Sequence, residues 1–295
     1  MKKRDKKKDD RHLGYFVVGY IDLLGQQDKI RNLKVPSGLT DTIAIEKARS
    51  VINDTYGAVK MMRKSFTTSF DAFAQSPIQK KLPLDLNNSP IKIQSFSDSI
   101  VIYLSMRTDR FKLPVRGIYA ILCASAVTFL HCLAAGHPIR GGIDIGAGFE
   151  PAKGEIYGPA LSRAYSLESK CANYPRIIIG DELVQYLIAS SKQEESDIYS
   201  QASKRTADMC IKLLAQDDDG YPFVDYLGQT FHTLTKKQIP VSIIEKAYEN
   251  VIKASNYFKE AKNSKLAFRY AVLRDYFDDR LSQNSIVPDS SETIK

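Results

Sequence analysis

The chain contains little cysteine. Its four cysteines, Cys123, Cys132, Cys171 and Cys210, include no CxxC pair and lie in apolar or helical segments. This spacing excludes the common structural zinc sites and gives no sign of a disulfide framework. The N-terminus also lacks the apolar segment and small-residue cleavage site of a secretory signal. We therefore expect a cytoplasmic protein in a reducing compartment.

The chain also lacks a strong excess of charge outside its first residues. Lys and Arg number 42 against 34 Asp and Glu, a net charge of +8, and residues 1–12 supply +4 with seven basic and three acidic side chains. A dedicated DNA-binding domain carries a basic stripe on its folded surface. We therefore interpret residues 1–12 as a flexible basic tail and expect no stable nucleic-acid or membrane partner. Nucleic-acid binding by this tail is the weaker alternative.

Only one segment is both long and free of charge. Gly117–Gly136 runs for twenty residues without a charged side chain, which meets the length of a membrane span. Ser125, Thr128 and His131 reduce its apolarity, and the strand-like segment Pro138–Gly148 follows directly. We therefore predict a buried helix of a globular fold rather than a membrane span.

Several common catalytic and metal-binding motifs are missing. No Ser or Cys is spaced with His131 or His137 in a recognisable nucleophile pattern. The acidic run Asp217–Gly220 lacks the alternating ligands and the distant Glu of an EF-hand loop. We therefore interpret this run as a polar turn before a strand.

The pattern of apolar residues predicts the order β, α, β-β, α, β, β, α, β. These segments are, in chain order, the strand Tyr15–Leu24, a helix from Thr40 or Asp41, the hairpin Ile91–Leu104, the charge-free helix, the strands Ile139–Ile145 and Gly154–Tyr157, a helix over Pro159–Asn173 and the strand Arg176–Ile179. Hairpins mixed with crossovers indicate an α+β fold, in which helices cover a mixed sheet.

A weaker pattern follows this core. It predicts a strand at Pro222–Leu227 and two helices, Val241–Lys262 and Ser264–Leu281. The segment after them has too few apolar residues to pack. We divide the chain into a basic tail (1–12), a core (13–183), a C-terminal strand and helical extension (184–282) and a second flexible tail (283–295).

Two aspartates occur in strand-like surroundings. Asp22 lies near the end of the first predicted strand, and Asp98 lies at the turn of the predicted hairpin. Two neighbouring carboxylates repel unless they share a proton or a metal ion. Mg²⁺ and Mn²⁺ prefer such oxygen ligands, so the pair is a candidate metal site if the two strands are neighbours. The alternative is an ion pair between Asp22 and Arg140, with Asp98 capping a turn.

Four segments of the chain resemble the class III nucleotidyl cyclases. They are Ile21–Gly25 (IDLLG), Phe96–Ser99 (FSDS), Arg140–Gly146 (RGGIDIG) and Gly154–Ser169 (GEIYGPALSRAYSLES). The chain is more closely similar to the pyrimidine cyclases of bacterial antiphage defence, through the segments Gly158–Leu161, Ala164–Ser169 and Tyr174–Ile177. The resemblance extends over about Tyr15–Leu183. It implies that the core is a catalytic domain with a class III cyclase-like mixed sheet.

The resemblance implies two divalent ions, Mn²⁺ or Mg²⁺, held by Asp22, Asp98 and the main-chain carbonyl of Leu23. It also implies a turn whose backbone donors hold the triphosphate. The residues of this turn are Leu24, Gly25, Gln26 and Gln27, where Gln26-Gln27 replaces the usual Phe-Thr. The implied reaction is attack of the ribose 3′-hydroxyl on the α-phosphate with loss of pyrophosphate.

The resemblance also identifies two positions that select the base. The adenylyl cyclases have a Lys and an Asp at these positions, where this chain has Gln94 and Glu155. The missing Lys makes an adenine pocket of the usual kind doubtful. Ionised Glu155 can accept from uracil N3–H while the Gln94 amide donates to O4, and cytosine fits less well, so UTP is favoured over CTP. Alternatively, the two side chains are solvated or bonded to each other.

Two further family positions are changed. The family's helix carries an Asn and, four residues on, an Arg that contact ribose and phosphate, where this chain has Ser162 and Ser166. Serine has no guanidinium charge, so another cation must serve or the rate must be low. Lys170 and Arg163 are the candidates, and ordinary surface charge is the alternative for both.

The resemblance implies a homodimer in which one protomer supplies the metal ligands and its partner supplies the base-selecting residues. The cyclic UMP or cyclic CMP product would act as a second messenger on a separate effector that kills or arrests the infected cell. Two alternatives stay open. One is a catalytically silent cyclase-like module that binds nucleotide or a phage component, and the other is a purine cyclase.

Overall fold

The computed structural model describes residues 12–26, 30, 32–33, 38, 41–74, 91–106, 114–152, 154–235 and 239–283. Both predicted flexible tails lie outside the described residues, apart from the backbone of His12 and the helical Gln283. The predicted triphosphate turn is described as far as Gln26, and Gln27 lies outside.

Strands and helices alternate along the described chain. The strands are β1 (His12–Leu23), β2 (Lys92–Phe96), β3 (Ser99–Ser105), β4 (Ile139–Glu150), β5 (Ile177–Ile179), β6 (Leu214–Gln216) and β7 (Pro222–Val224). The helices are α1 (Thr42–Ala74), α2 (Pro114–Ala134), α3 (Pro159–Ser166), α4 (Asp181–Ser191), α5 (Ile198–Lys212), α6 (Gln229–Thr235), α7 (Val241–Glu260) and α8 (Ser264–Gln283). A π turn, Leu167–Cys171, continues α3.

The strands form one mixed sheet in the order β2-β3-β1-β4-β5-β7-β6. All neighbouring strands are antiparallel except β4 and β5, which are parallel. This arrangement confirms the predicted α+β class with a mixed sheet under helices. The predicted strand at Gly154–Tyr157 is reduced to an isolated bridge between Phe149 and Tyr157. β6 and β7 come from the predicted C-terminal extension and join the edge of the same sheet.

Helices cover β1 on both of its faces. Val17 and Ile21 pack with side chains of α1 and α2 on one face. Phe16 and Val18 pack with Ala160 of α3 on the other. A strand buried on both faces has a nearly continuous apolar sequence, which explains the run that predicts β1.

The charge-free segment is the core helix α2. It packs against the neighbouring helices α1, α5 and α7, and the polar Ser125 and Thr128 are fully buried within it. In the described part of the chain, α2 alone is long and apolar enough to cross a membrane, and 89% of its most apolar window is buried inside the fold. This burial agrees with the predicted core helix.

Candidate active site

Asp22 and Asp98 lie side by side at one end of the sheet. Asp22 of β1 is opposite Ser99 of β3, the residue that follows Asp98. The Leu23 N–H donates to the Asp98 carbonyl oxygen at 3.1 Å, which fixes the hairpin turn against the end of β1. The two strands are therefore neighbours, and the two aspartates meet as the strand pattern predicts.

The pKa of Asp22 is strongly displaced. This pKa is raised from 3.8 to about 7, chiefly by burial and then by the charges of Asp98 and Glu168, while the charge of Arg140 lowers it. A carboxyl with this pKa keeps its proton much of the time at neutral pH unless a cation is bound nearby. A bound cation would therefore be stabilised electrostatically at this site.

A third carboxylate, Glu168, belongs to the same group. Glu168 lies in the π turn, is 2% exposed and forms an ion pair with Arg140 of β4. The turn reaches the sheet because Gly142 has no side chain: a Cβ there would lie 2.4 Å from the Ala164 carbonyl oxygen and 2.5 Å from Leu167 Cβ. π turns are frequent at functional sites. Sequence reasoning missed Glu168, although it lies in the quoted LES segment.

We call Asp22, Asp98, Glu168 and Arg140 the acid cluster. Arg140 is opposite Asp22 in the sheet register, yet its ion pair is with Glu168 rather than with Asp22. Burial raises the pKa of Glu168, Arg140 lowers it and Asp98 raises it. The cluster has three carboxyl groups and one guanidinium, so its ionised form has an excess of negative charge.

The acid cluster fits a divalent cation in part. Among the described residues, no three His, Cys, Asp or Glu side chains are grouped as a preformed metal site. Asp22 and Asp98 are the two acids of the cluster without an ion pair within the described chain, and the Leu23 backbone lies beside them. Hard divalent ions take carboxylate and carbonyl oxygens and keep several waters, so these groups supply a partial ligand set.

The turn after β1 differs from the predicted triphosphate turn. The Leu24 N–H donates to the Pro138 carbonyl oxygen at 2.9 Å, so it is not free for a phosphate. Gln26 is buried, and its Oε1 accepts from the Thr55 hydroxyl at 3.1 Å, which turns this side chain into the core. Gly25 has a φ of 80°, as a tight turn requires. The Leu24 N–H is therefore already paired with the residue that precedes β4, and the predicted binding of a triphosphate by this turn stays a prediction.

The two predicted base-selecting residues, Gln94 and Glu155, are not hydrogen-bonded to each other in the described part of the chain. Gln94 of β2 is half-buried, and Glu155 is exposed. The charge of Glu155, after burial and Glu150, contributes to a raised pKa of Tyr103. The alternative in which these two side chains bond to each other is therefore absent among the described residues, and their role in selecting the base stays a prediction.

Lys92 is a further cation near Gln94, which the sequence analysis did not identify. It lies two residues before Gln94, on the same face of β2, and is opposite Tyr103. Lys92 forms an ion pair with Glu150, which also accepts from the Tyr103 hydroxyl at 3.0 Å. The twofold period of a strand could have identified this lysine as a neighbour of Gln94.

The predicted phosphate contacts on α3 and the π turn have different surroundings. Arg163 Nε lies 2.9 Å from Asp144 Oδ2, and the guanidinium also donates to the Ile145 carbonyl, so Arg163 is committed to β4 rather than free for substrate. Arg163 can approach β4 because residue 146 is glycine: a Cβ at this position would lie 2.1 Å from the guanidinium. Ser162 and Lys170 are exposed, and the structure gives neither a place in the acid cluster.

A second ionic group binds the β6–β7 turn to the π turn. Arg176 is 1% exposed and forms ion pairs with Asp217 and Asp219. Its Nη2 donates to the Cys171 carbonyl oxygen at 2.9 Å, and Tyr174 donates to Asp217. We call these four charged or phenolic side chains the Arg176 cluster. The acidic run predicted to be a plain polar turn is therefore the partner of a buried arginine.

The structure thus has two ionic groups near the π turn. The acid cluster has more carboxylates than cations, whereas the Arg176 cluster has its charges paired. The acid cluster can hold a cation and take up or release a proton at Asp22. In comparisons with known proteins, the chain matches no family model, no curated protein and no solved structure, so its function is inferred from these residues.

Proposed function

We propose that the chain is a nucleotidyl cyclase that converts a pyrimidine nucleoside triphosphate, UTP or CTP, to the 3′,5′-cyclic nucleotide and pyrophosphate. One observation carries this proposal: Asp22 and Asp98 meet at the end of β1 with more negative charge than Arg140 can offset. The segments that resemble class III cyclases contain all of these residues, which supports the same reading.

The reaction needs positive charge and orientation more than covalent chemistry. The ribose 3′-oxygen forms a bond to the α-phosphorus, the bond from that phosphorus to the pyrophosphate oxygen breaks, and the hydroxyl proton passes to solvent water. Two bound Mg²⁺ or Mn²⁺ ions would activate the hydroxyl and offset charge on the leaving group. Asp22 and Asp98 would hold these ions. Arg140 would keep Glu168 from competing, because the two form an ion pair.

The proposed site is shared between two protomers. The charge of Glu155 helps to raise the pKa of Tyr103. Tyr103 is opposite Val18 of β1, which is four residues from Asp22. Four strand residues span about 13 Å, so Tyr103 and the acid cluster of one chain are well separated along the strands. A homodimer that brings Glu155 of one chain to Asp98 of its partner would complete the site.

A mixed dimer tests the shared site. An Asp98→Ala chain and a Glu155→Ala chain, each inactive alone, should recover up to about a quarter of wild-type activity when co-refolded at equal amounts. The estimate assumes random pairing, in which half of the dimers are mixed and each has one intact site. Failure to recover activity, with mixed dimers present by native mass spectrometry, would count against it.

The biological role in this proposal is cytoplasmic signalling. A cyclic pyrimidine made on infection would act on a separate effector in bacterial antiphage defence. This part rests on the resemblance of the segments around Ser162 and Tyr174 to the antiphage cyclases.

Two specific observations favour alternatives. The Leu24 N–H is occupied and Arg163 is bound to Asp144, which favours a nucleotide-binding module without turnover. Lys92 lies on the same strand face as Gln94, so a lysine is present near the base-selecting position, and this favours a purine cyclase although the family lysine itself is missing. Product analysis distinguishes the three.

The test incubates purified protein with Mn²⁺ and each of the four nucleoside triphosphates, followed by mass spectrometry. We expect cyclic UMP or cyclic CMP from the wild type and at least a 100-fold loss in Asp22→Asn and Asp98→Asn. Glu46→Gln removes an exposed carboxylate of α1 and serves as the matched control, which should keep full activity. A cyclic purine would replace the pyrimidine assignment. Tight nucleotide binding without any product would favour the silent module.

A further inference from the structure

A cleft of about 460 Å³ opens between the N-terminal half of α8 and the loop after the π turn. We call it the α8 cleft. Asn173 and Tyr174 line it from the loop, and Lys265, Phe268 and Arg269 line it from α8. Its volume lies in the range of small-molecule sites. Nothing in the cyclase resemblance covers α8, because that resemblance ends near Leu183.

The α8 cleft is lined by positive charge without a carboxylate. Lys265 and Arg269 are four residues apart and therefore share one face of α8. No Asp or Glu is among the described residues that line the cleft. Within the described chain, Arg269 has no hydrogen bond or ion pair to offset its charge. Two unneutralised cations beside an open cleft are suited to an anion.

The cleft adjoins the acid cluster. The cleft-lining Tyr174 lies two residues before Arg176, whose carbonyl oxygen accepts at 2.9 Å from the N–H of Gly141, the residue after Arg140. Burial and then the nearby charge of Arg140 lower the pKa of Arg269, which agrees with this placement. Arg140 is opposite Asp22 and pairs with Glu168. The order from the end of β1 into the cleft is therefore acid, arginine, arginine. A substrate with metal-bound phosphates at Asp22 could extend its remaining phosphates toward Arg269.

We propose that the α8 cleft binds the pyrophosphoryl end of a nucleoside triphosphate and that Arg269, supported by Lys265, supplies the cation that Ser166 does not provide. This inference rests on the proposed cyclase function. As the bond between the α-phosphorus and the leaving oxygen breaks, negative charge grows on the pyrophosphate. The planar guanidinium can hold two of its oxygens at once.

The cleft also distinguishes Arg269 from the two cations that the sequence favours. Arg163 is bound to Asp144, and Lys170 is exposed on the π turn. Arg269 is half-buried and lines an open cleft. It belongs to the same chain as Asp22, so it would act without the partner protomer.

The first arm of the test measures binding of inorganic pyrophosphate to the full chain by calorimetry, without turnover. We expect Arg269→Ala to weaken binding at least tenfold, and Lys265→Ala about threefold, because each removes a charge-assisted contact. Arg274→Ala removes one positive charge from the same helix, where Arg274 faces Asp278, and should change binding less than twofold. Equal binding by Arg269→Ala and Arg274→Ala would overturn the inference.

The second arm measures kcat and KM with the nucleotide that the wild type converts. Arg269→Ala should lower kcat about 100-fold, and Arg269→Lys should recover part of the loss. Thermal unfolding of each variant checks folding, and if Arg269→Ala is unfolded, Arg269→Gln and Lys265→Ala decide the result. If the wild type cyclises a nucleotide and folded Arg269→Ala does so at the same rate, the proposed role of the α8 cleft is disproved and the cyclase function stands. If the wild type makes no product but binds pyrophosphate through Arg269, the cyclase function is disproved and the anion site in the α8 cleft stands.

Discussion

The acid cluster and the Arg176 cluster both bury charge near the π turn, but they differ in how that charge is paired. In the Arg176 cluster the guanidinium holds two carboxylates, and its hydrogen bond lowers the pKa of Asp219. In the acid cluster the pKa of Asp22 is raised to about 7, chiefly by burial. Paired charge maintains a structure, whereas buried and unpaired acid is typical of functional sites.

This contrast assigns different work to the two regions. Arg176 connects the β6–β7 turn to the Cys171 carbonyl at the end of the π turn, which carries Glu168. The Arg176 cluster therefore supports the backbone on which the acid cluster depends. The two regions should respond in opposite ways when a charge is removed: the first should lose stability, and the second should gain it.

The largest effect is expected from Arg176→Met. The substitution leaves Asp217 and Asp219 without their buried partner, so we expect a loss of about 3 kcal/mol in the free energy of unfolding, measured with urea. Lys204→Met is the matched control, since it breaks the exposed Lys204–Glu195 pair at 3.2 Å and should cost about 0.5 kcal/mol. Similar losses in both variants would mean that the Arg176 cluster does not stabilise the fold in this way.

Divalent ions should affect only the acid cluster. At pH 8, Mn²⁺ at about one hundred times its dissociation constant should stabilise the wild type by about 2.7 kcal/mol. Asp22→Asn and Asp98→Asn should lose this response, and Glu46→Gln should keep it. Thermal unfolding with and without Mn²⁺ measures the difference. An undiminished response in both aspartate variants would place the ion elsewhere.

The pH dependence of stability should show the unpaired acid directly. The pKa of Asp22 is raised in the folded state, so between about pH 4 and 7 the unfolded chain binds fewer protons at this residue than the folded chain. Asp22 therefore stabilises the fold less as pH rises through this window. In metal-free protein we expect it to remove about 2 kcal/mol between pH 4 and 8, below the limit of about 4 kcal/mol for a full three-unit shift.

Asp22→Asn isolates this contribution. Other carboxyls, such as Asp219, have lowered pKa values and contribute stability that is lost as pH falls, so the useful quantity is the difference between wild type and variant. The variant should be about as stable as the wild type at pH 4 and more stable at pH 8. A constant difference across this range would show that Asp22 titrates with its ordinary pKa.

Part of the site could be predicted from the sequence because it depends on local patterns. The apolar run ending at Asp22 predicts β1, and the paired runs around Asp98 predict a hairpin, so their meeting follows from strand pairing. The α+β class and the buried helix α2 also follow from such patterns. The short strand β6 was missed because three residues give too little periodicity to detect.

The remaining site residues depend on contacts between distant segments. Glu168 enters the acid cluster only because Gly142 lets the π turn approach β4. Arg163 and the Leu24 N–H are removed from the predicted site by Asp144 and Pro138, which are remote in sequence. Spacing along one element cannot reveal these partners.

The smallest effect should come from Glu168→Gln, and it tests which acid is in excess. Glu168 raises the pKa of Asp22, and its ion pair with Arg140 limits how far Arg140 lowers that pKa. Removing the Glu168 charge should therefore lower the pKa of Asp22 by both routes, by about one unit. In metal-free protein, the free energy of unfolding should therefore fall by about 1 kcal/mol less between pH 4 and 8 in this variant than in the wild type. NMR titration of the Asp22 carboxyl measures the shift, with Glu46→Gln as the control. A midpoint that stays near 7 would mean that burial and Asp98 alone set the pKa of Asp22, and that Glu168 and Arg140 form a structural pair like the Arg176 cluster.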